Sequence, residues 1–154
     1  MPPSDQRVEV RAATPDDAET AAQLSGALGY PASAAEMRHR IERLTASSDH
    51  GVYVACRGGQ VVGWIHVMAV QHMQSEARAE IGGLVVAEGA RSAGIGAQLV
   101  ASAEQWARDA GFAHIVVRSQ VAREAAHRFY LREGYARTKT SAVFSKSLTT
   151  DTHT

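Results

Sequence analysis

The residues with the clearest chemical meaning lie between Ala77 and Ala110. Ile81, Leu84, Val85 and Val86 are strand formers. A short turn over Glu88–Arg91 follows, and then Arg91-Ser92-Ala93-Gly94-Ile95-Gly96. From Ile95 onward, Leu99, Ala103, Trp106, Ala107 and Ala110 recur at three- and four-residue steps, which is one face of a helix, and Gly111 stops it. Strand, glycine turn and helix together make a site for an anion. Backbone N–H groups at a helix start have no partner inside the helix, and the helix dipole adds positive potential there. Glycine lets a phosphate come close to the main chain. Spacing narrows the choice of phosphate ligand. A nucleotide-hydrolase loop needs Gly-Lys-Ser/Thr, and no lysine occurs between Ala77 and Arg137. A dinucleotide fingerprint needs a glycine three positions after Gly96, where this chain has Leu99.

The hexapeptide resembles the Arg/Gln-x-x-Gly-x-Gly/Ala signature of the GNAT superfamily of N-acetyltransferases, which seats the pyrophosphate of coenzyme A. A second stretch, Ala126-x-x-Phe129-Tyr130-x-x-x-Gly134-Tyr135, resembles that superfamily's second signature. The resemblance implies acetyl-CoA as co-substrate, with no metal. It implies that Arg91, Ser92, Ala93, Gly94, Ile95, Gly96 and Ala97 hold the diphosphate, mostly through backbone N–H groups. It further implies that the main chain of Leu84, Val85 and Val86 bonds the pantetheine arm, which lies in a gap before the Phe112–Arg118 strand. An N–H there would polarise the acetyl carbonyl. Gly82 and Gly83, inside the same strand, read as a bulge or a point of close ligand approach. Tyr130 would give a proton to the departing thiolate. One departure stands out. The family's coenzyme-contacting asparagine, seven residues before the tyrosine, is Arg123 here, with Arg118 and Gln120 as other substitutes.

An acceptor amine must lose a proton before it attacks, since an ordinary alkylammonium has a pKa of about 10.4. Glu80 is the best candidate for that base, on the strand that would present the thioester and eleven residues before Arg91. The alternative is a rim carboxylate that binds a cationic acceptor or acts through water. On this reading the acceptor enters from the side formed by Leu28–Ser33, which includes Tyr30, the strand containing Trp64 and His66, and the C-terminal segment Arg137–Phe144. His127 sits one helical turn before Tyr130 and is placed either to tune it or only to cap a surface, while His72 and His114 have no partner pattern. No His/Cys spacing suggests a metal site, and nothing around Cys56 suggests a covalent nucleophile, so direct attack is preferred to a ping-pong route.

The elements that position these groups read in order. Arg7–Ala13 alternates as a half-buried strand. Thr14-Pro15-Asp16-Asp17 starts a helix to about Leu28, and Ser33-Ala-Ala-Glu36 caps a second helix ending near Ala46. Gly51–Cys56, the turn Arg57-Gly58-Gly59-Gln60 and Val61–Val70 form a hairpin. Phe112–Arg118 is a buried strand, Ala122–Arg132 a helix, and Tyr135–Lys139 and Ala142–Leu148 are two further strands. The fold class is α/β (α+β): a mixed sheet of six to seven strands with about four helices on its faces, in the GNAT order. One domain spans residues 7–148, with tails at 1–6 and 149–154.

Composition sets the bounds. The chain has 154 residues, with 16 basic and 16 acidic side chains. A zero balance gives no overall field for nucleic acid or an anionic membrane. No apolar run is long enough to span a bilayer, and the first residues lack a signal-peptide core. The single cysteine, Cys56, fits a reducing cytoplasm. The expected activity is transfer of an acetyl group to a small-molecule primary amine. A protein or peptide amine acetyltransferase and a non-catalytic acyl-CoA sensor are the alternatives. Homodimerisation is common in the family the chain resembles.

Overall fold

The computed structural model describes residues 7–27, 29–90, 93–118 and 124–149. The chain divides into two compact units, Met1–Arg118 and Ser119–Thr154.

The first unit holds a five-stranded sheet: β1 (Val8–Ala12), β2 (His50–Arg57), β3 (Gln60–Val70), β4 (Arg78–Val86) and β5 (Ile115–Val117), in that spatial order. All neighbours are antiparallel except β4 and β5, which run parallel and need a crossover. That crossover is α3 (Ile95–Asp109). α1 (Ala18–Ala27) and α2 (Ala34–Thr45) precede β2.

Local chemistry sets these elements. Ser33 and Glu36 form a reciprocal capping box at the start of α2. In the β2–β3 turn, Gly58 and Gly59 both take positive φ, 60° and 77°, which a tight hairpin requires. α3 covers one face of the sheet. There a Cβ on Gly63 would lie 3.1 Å from the Leu99 side chain, and one on Gly51 would lie 2.8 Å from the Trp106 ring. Ile65, Val67, Ile95, Leu99 and Val100 are fully buried in the core. On the other face Val52, Val54 and Trp64 pack with Ala13, Leu24 and Leu44.

A double hydrogen bond ties β1 to the turn after it. Arg11 donates to both carboxylate oxygens of buried Asp17, at 2.9 and 2.8 Å, and the Thr14 N–H donates to Asp17 at 2.8 Å. The Arg11 bond holds the Asp17 carboxyl below its ordinary range. Its stabilisation is therefore full above the unfolded value of 3.8 and is lost as pH falls through the lower folded value. Asp17→Ala is expected to cost about 2 kcal/mol at pH 7, less than a fully buried pair because Arg11 is half exposed. Urea unfolding at pH 7 and in acid checks this: the deficit should shrink in acid.

In the second unit, α4 (Glu124–Arg132) ends at Gly134, where φ is +93°. The two strands expected at Tyr135–Lys139 and Ala142–Leu148 do not form, so among the described residues the sheet has five strands rather than six to seven. A strand needs a ladder partner, and among the described residues this segment has none. Arg137 bonds Thr140 within it, and Val143, Phe144 and Leu148 are each at least 90% exposed.

Candidate active site

β4 is paired on both sides only in its first half. Its parallel register with β5 runs from Ala79↔Ile115 to Ile81↔Val117 and stops. From Gly82 to Val86, one edge of β4 has no strand partner among the described residues, and Leu84, Val85 and Val86 lie along that free edge. After Val86 the chain makes a single turn over Glu88–Ala90 and reaches α3. Gly94 caps α3 with a left-handed φ of 76°. The Gln98 N–H donates to the Gly94 carbonyl at 3.1 Å, which leaves the N–H groups of Ile95, Gly96 and Ala97 without a partner in the helix. Ile95 is buried and anchors the turn, whereas Ala93 and Gly94 are exposed and Gly96 and Ala97 partly so. The first turn of α3 carries no acidic side chain, which suits an anion there. Arg91, Ser92 and Arg123 lie outside the described residues.

A second group of side chains gathers at the bulge in β4. The β3–β4 register slips between His66 and Val67: His66 pairs with Gly83, Val67 with Ile81, and Gly82 is the extra residue. Both glycines are needed. A Cβ on Gly82 would sit 2.9 Å from His66 Nδ1, and one on Gly83 2.9 Å from the Trp64 ring. Glu80 opposes Met68 and so shares this face of the sheet with His66 and Trp64. Its side chain is 14% exposed, and its carboxylate sits between two guanidinium groups, 3.8 Å from Arg78 Nη2 and 3.5 Å from Arg118 Nε. Tyr30 lies outside the sheet, in the segment between α1 and α2. It follows α1, is half exposed, and its N–H donates to the Ser25 carbonyl.

His66 has a partner of its own kind. Its Nε2 lies 2.9 Å from His50 Nδ1, and the rings stack with centroids 5.1 Å apart. Burial first, and the neighbouring His50 second, push the His66 imidazole down to about 4. His66 is therefore neutral at physiological pH. Because the folded value lies below the unfolded 6.5, the fold loses stability as pH drops from about 6.5 toward 4. His66→Gln keeps a hydrogen-bonding side chain without that titration. The wild-type chain should lose melting temperature across this window more steeply than the variant, as read by thermal denaturation at pH 7, 6 and 5.

Tyr130 lies in the second unit, on α4. Its ring packs edge-on against Phe129 and Tyr135, with centroids 5.2 and 5.8 Å away. Burial raises its phenol above the ordinary 10, so it carries its proton throughout the physiological range. Cys56 pairs with Val61, at the opposite end of β3 from the Met68–Glu80 pair. Among the described residues no group of three potential metal ligands occurs.

Two members of this constellation were not read from sequence. Arg78 stands two residues before Glu80, a spacing that places both on one face of a strand, and that alternation was the available signal. His50 and His66 face each other because β2 and β3 pair across a hairpin, a relation that only the register reveals.

The Acetyltransferase (GNAT) family matches this chain over residues 18–135. The chain belongs to the GNAT acetyltransferase family. Among its relatives is an aminoalkylphosphonate N-acetyltransferase of Salmonella typhimurium (strain LT2), 43% identical over 83 residues. That match spans 53% of this chain and only 54%, about half, of the relative. An aminoglycoside N(6')-acetyltransferase type 1 of Stenotrophomonas maltophilia is 28% identical over 90% of this chain and 93% of its own length. Among solved structures, an aminoglycoside N-acetyltransferase in complex with CoA superposes with a TM-score of 0.83 at 15% identity, covering 95% of this chain and 99% of that one. The mixed sheet and the four α-helices among the described residues are those of a GNAT fold. Among the described residues of this GNAT chain, no helix is long and apolar enough to cross a membrane.

Proposed function

We propose that the chain moves an acetyl group from acetyl-CoA to the primary amine of a small molecule, by direct attack in a ternary complex. The observation that carries this reading is the free edge of β4 from Gly82 to Val86, which leads in one short turn to the first N–H groups of α3. An extended thioester arm can bond that edge as an added strand would. A diphosphate can take the helix start. On this reading Leu84, Val85 and Val86 bond the arm. The stretch Arg91–Ala97 holds the diphosphate, with Arg123 in place of the usual asparagine.

Coenzyme A supplies an acetyl thioester, and the residues of the chain do the rest. Glu80 accepts the ammonium proton, directly or through a water, and frees the nitrogen lone pair. The nitrogen attacks the acetyl carbonyl while a main-chain N–H of β4 steadies the charge on oxygen. As the C–S bond breaks, Tyr130 gives its proton to sulfur, and the nitrogen releases its second proton to solvent, from which the Tyr130 phenol is restored. Trp64, His66 and Tyr30 are assigned to the acceptor side. The names of two relatives, one acting on aminoglycosides and one on aminoalkylphosphonates, support a small-molecule amine as acceptor.

A thiol-release screen tests the reading, with acetyl-CoA against amino acids, polyamines, aminoglycosides, peptides and aryl amines. Release with at least one small amine, and intersecting initial-rate lines for the two substrates, are expected. Coenzyme binding with no release across the whole panel would instead mean a sensor, and parallel lines would mean a covalent intermediate.

A further inference from the structure

The proposed base, Glu80, stands between two cations, which is one more than it can neutralise. Arg78, Glu80 and Arg118 lie on one face of the sheet: Arg78 and Glu80 alternate along β4, Glu80 is level with Val116 of β5, and Arg118 follows Val116 by two residues. The group carries one carboxylate and two guanidiniums, a surplus of one positive charge. Neither ion pair is tight. At 3.8 and 3.5 Å both are longer than the roughly 2.7–2.9 Å of a charge-assisted hydrogen bond. The same chain shows what a closed structural pair looks like, in the two-point bond of Arg11 to Asp17 at 2.8 and 2.9 Å. The second observation is independent of these distances. Arg78 Nε is buried and has no hydrogen-bond partner among the described residues. A buried donor on a charged group is costly to leave unmade, and guanidinium donors fit the paired oxygens of a carboxylate, phosphate or phosphonate.

We propose that Arg78 and Arg118 form a subsite for an oxyanion on the acceptor, so that the amine substrate is a short zwitterion with its amine and its anion separated by one to three carbons. The inference rests on the function proposed above and names the acceptor class for that site. The short spacer follows from the distances: the arginines lie within 4 Å of the carboxylate that would receive the ammonium group. The oxyanion occupies the arginine donors, including the orphaned Nε of Arg78, and the ammonium turns toward Glu80. A carboxylate, phosphate or phosphonate all satisfy this chemistry.

Acceptor pairs that differ only in the anion test the proposal. Initial rates with acetyl-CoA are measured for ethylamine, alanine and 1-aminoethylphosphonate, and for kanamycin as a polycation. A built oxyanion site should raise kcat/KM for at least one zwitterion over ethylamine by about 10²-fold or more. Methylphosphonate should compete with the zwitterion and not with acetyl-CoA. Arg78→Met and Arg118→Met should each bring the zwitterion-to-ethylamine ratio toward one, with Arg118→Lys intermediate. The ratio is read because damage to the fold lowers both rates alike. Equal rates with and without the anion, a preference for kanamycin, or a ratio that survives both substitutions overturns the subsite while leaving acetyl transfer intact. Failure of coenzyme A to bind in calorimetry overturns the parent reading as well.

Discussion

Tyr130→Phe is expected to lower kcat about 10²- to 10³-fold, within the range for loss of a positioned general acid, while the KM for acetyl-CoA changes little. A departing thiolate needs a proton, and the Tyr130 phenol is a suitable source. Burial lifts it above its ordinary value, so at neutral pH it holds its proton. Phenylalanine keeps the ring that packs edge-on against Phe129 and Tyr135, so the α4 end should survive the change. The pH profile separates chemistry from packing. Wild-type kcat should fall at alkaline pH, above about 10, where the phenol ionises, and the variant should show no such limb. An unchanged kcat across that range would remove Tyr130 from the reaction.

Ala97→Glu is expected to weaken coenzyme A binding about 10²-fold, a loss of about 2.7 kcal/mol, and to leave the melting temperature unchanged or slightly raised. The two effects have opposite signs for one reason. Ala97 is in the first turn of α3, where N–H groups without intrahelical partners and the helix dipole favour a negative charge. A carboxylate there gains roughly 0.3–1 kcal/mol from the dipole, and repels a diphosphate from the same groups. A change that merely damaged the fold would lower binding and stability together. Calorimetry with coenzyme A and a thermal melt read both quantities. Unchanged affinity would mean that the diphosphate binds elsewhere.

Much of the fold follows from short-range chemistry and was legible for that reason. The capping box of Ser33 and Glu36, the paired glycines of the β2–β3 turn and the stripe from Ile95 to Ala107 each fix an element through neighbours within a few residues. The α3 turn was readable because glycines before a helix mean the same thing in any context. What the sequence hid depends on register. Only the slip at Gly82 puts His66 and Trp64 over two consecutive glycines, and only β-pairing sets His50 against His66. Arg78 and Arg118 converge on Glu80 because β4 and β5 run parallel, a relation between strands separated by a whole helix. The C-terminal segment shows the reverse. Val143 and Phe144 are strand formers by type, but residue type cannot supply the ladder partner that a strand requires.

Every functional proposal made for this chain presumes that the α3 start grips the diphosphate of coenzyme A. Titration calorimetry of the full chain with coenzyme A and, separately, with pantetheine tests that most directly, because the second ligand keeps the arm and lacks the diphosphate. The account predicts one saturable coenzyme A site per chain, with pantetheine bound at least about 10²-fold more weakly and coenzyme A affinity falling as salt rises. No saturation by coenzyme A at about 1 mM, the upper end of ordinary substrate affinities, or pantetheine binding as tightly as the whole coenzyme, would contradict it.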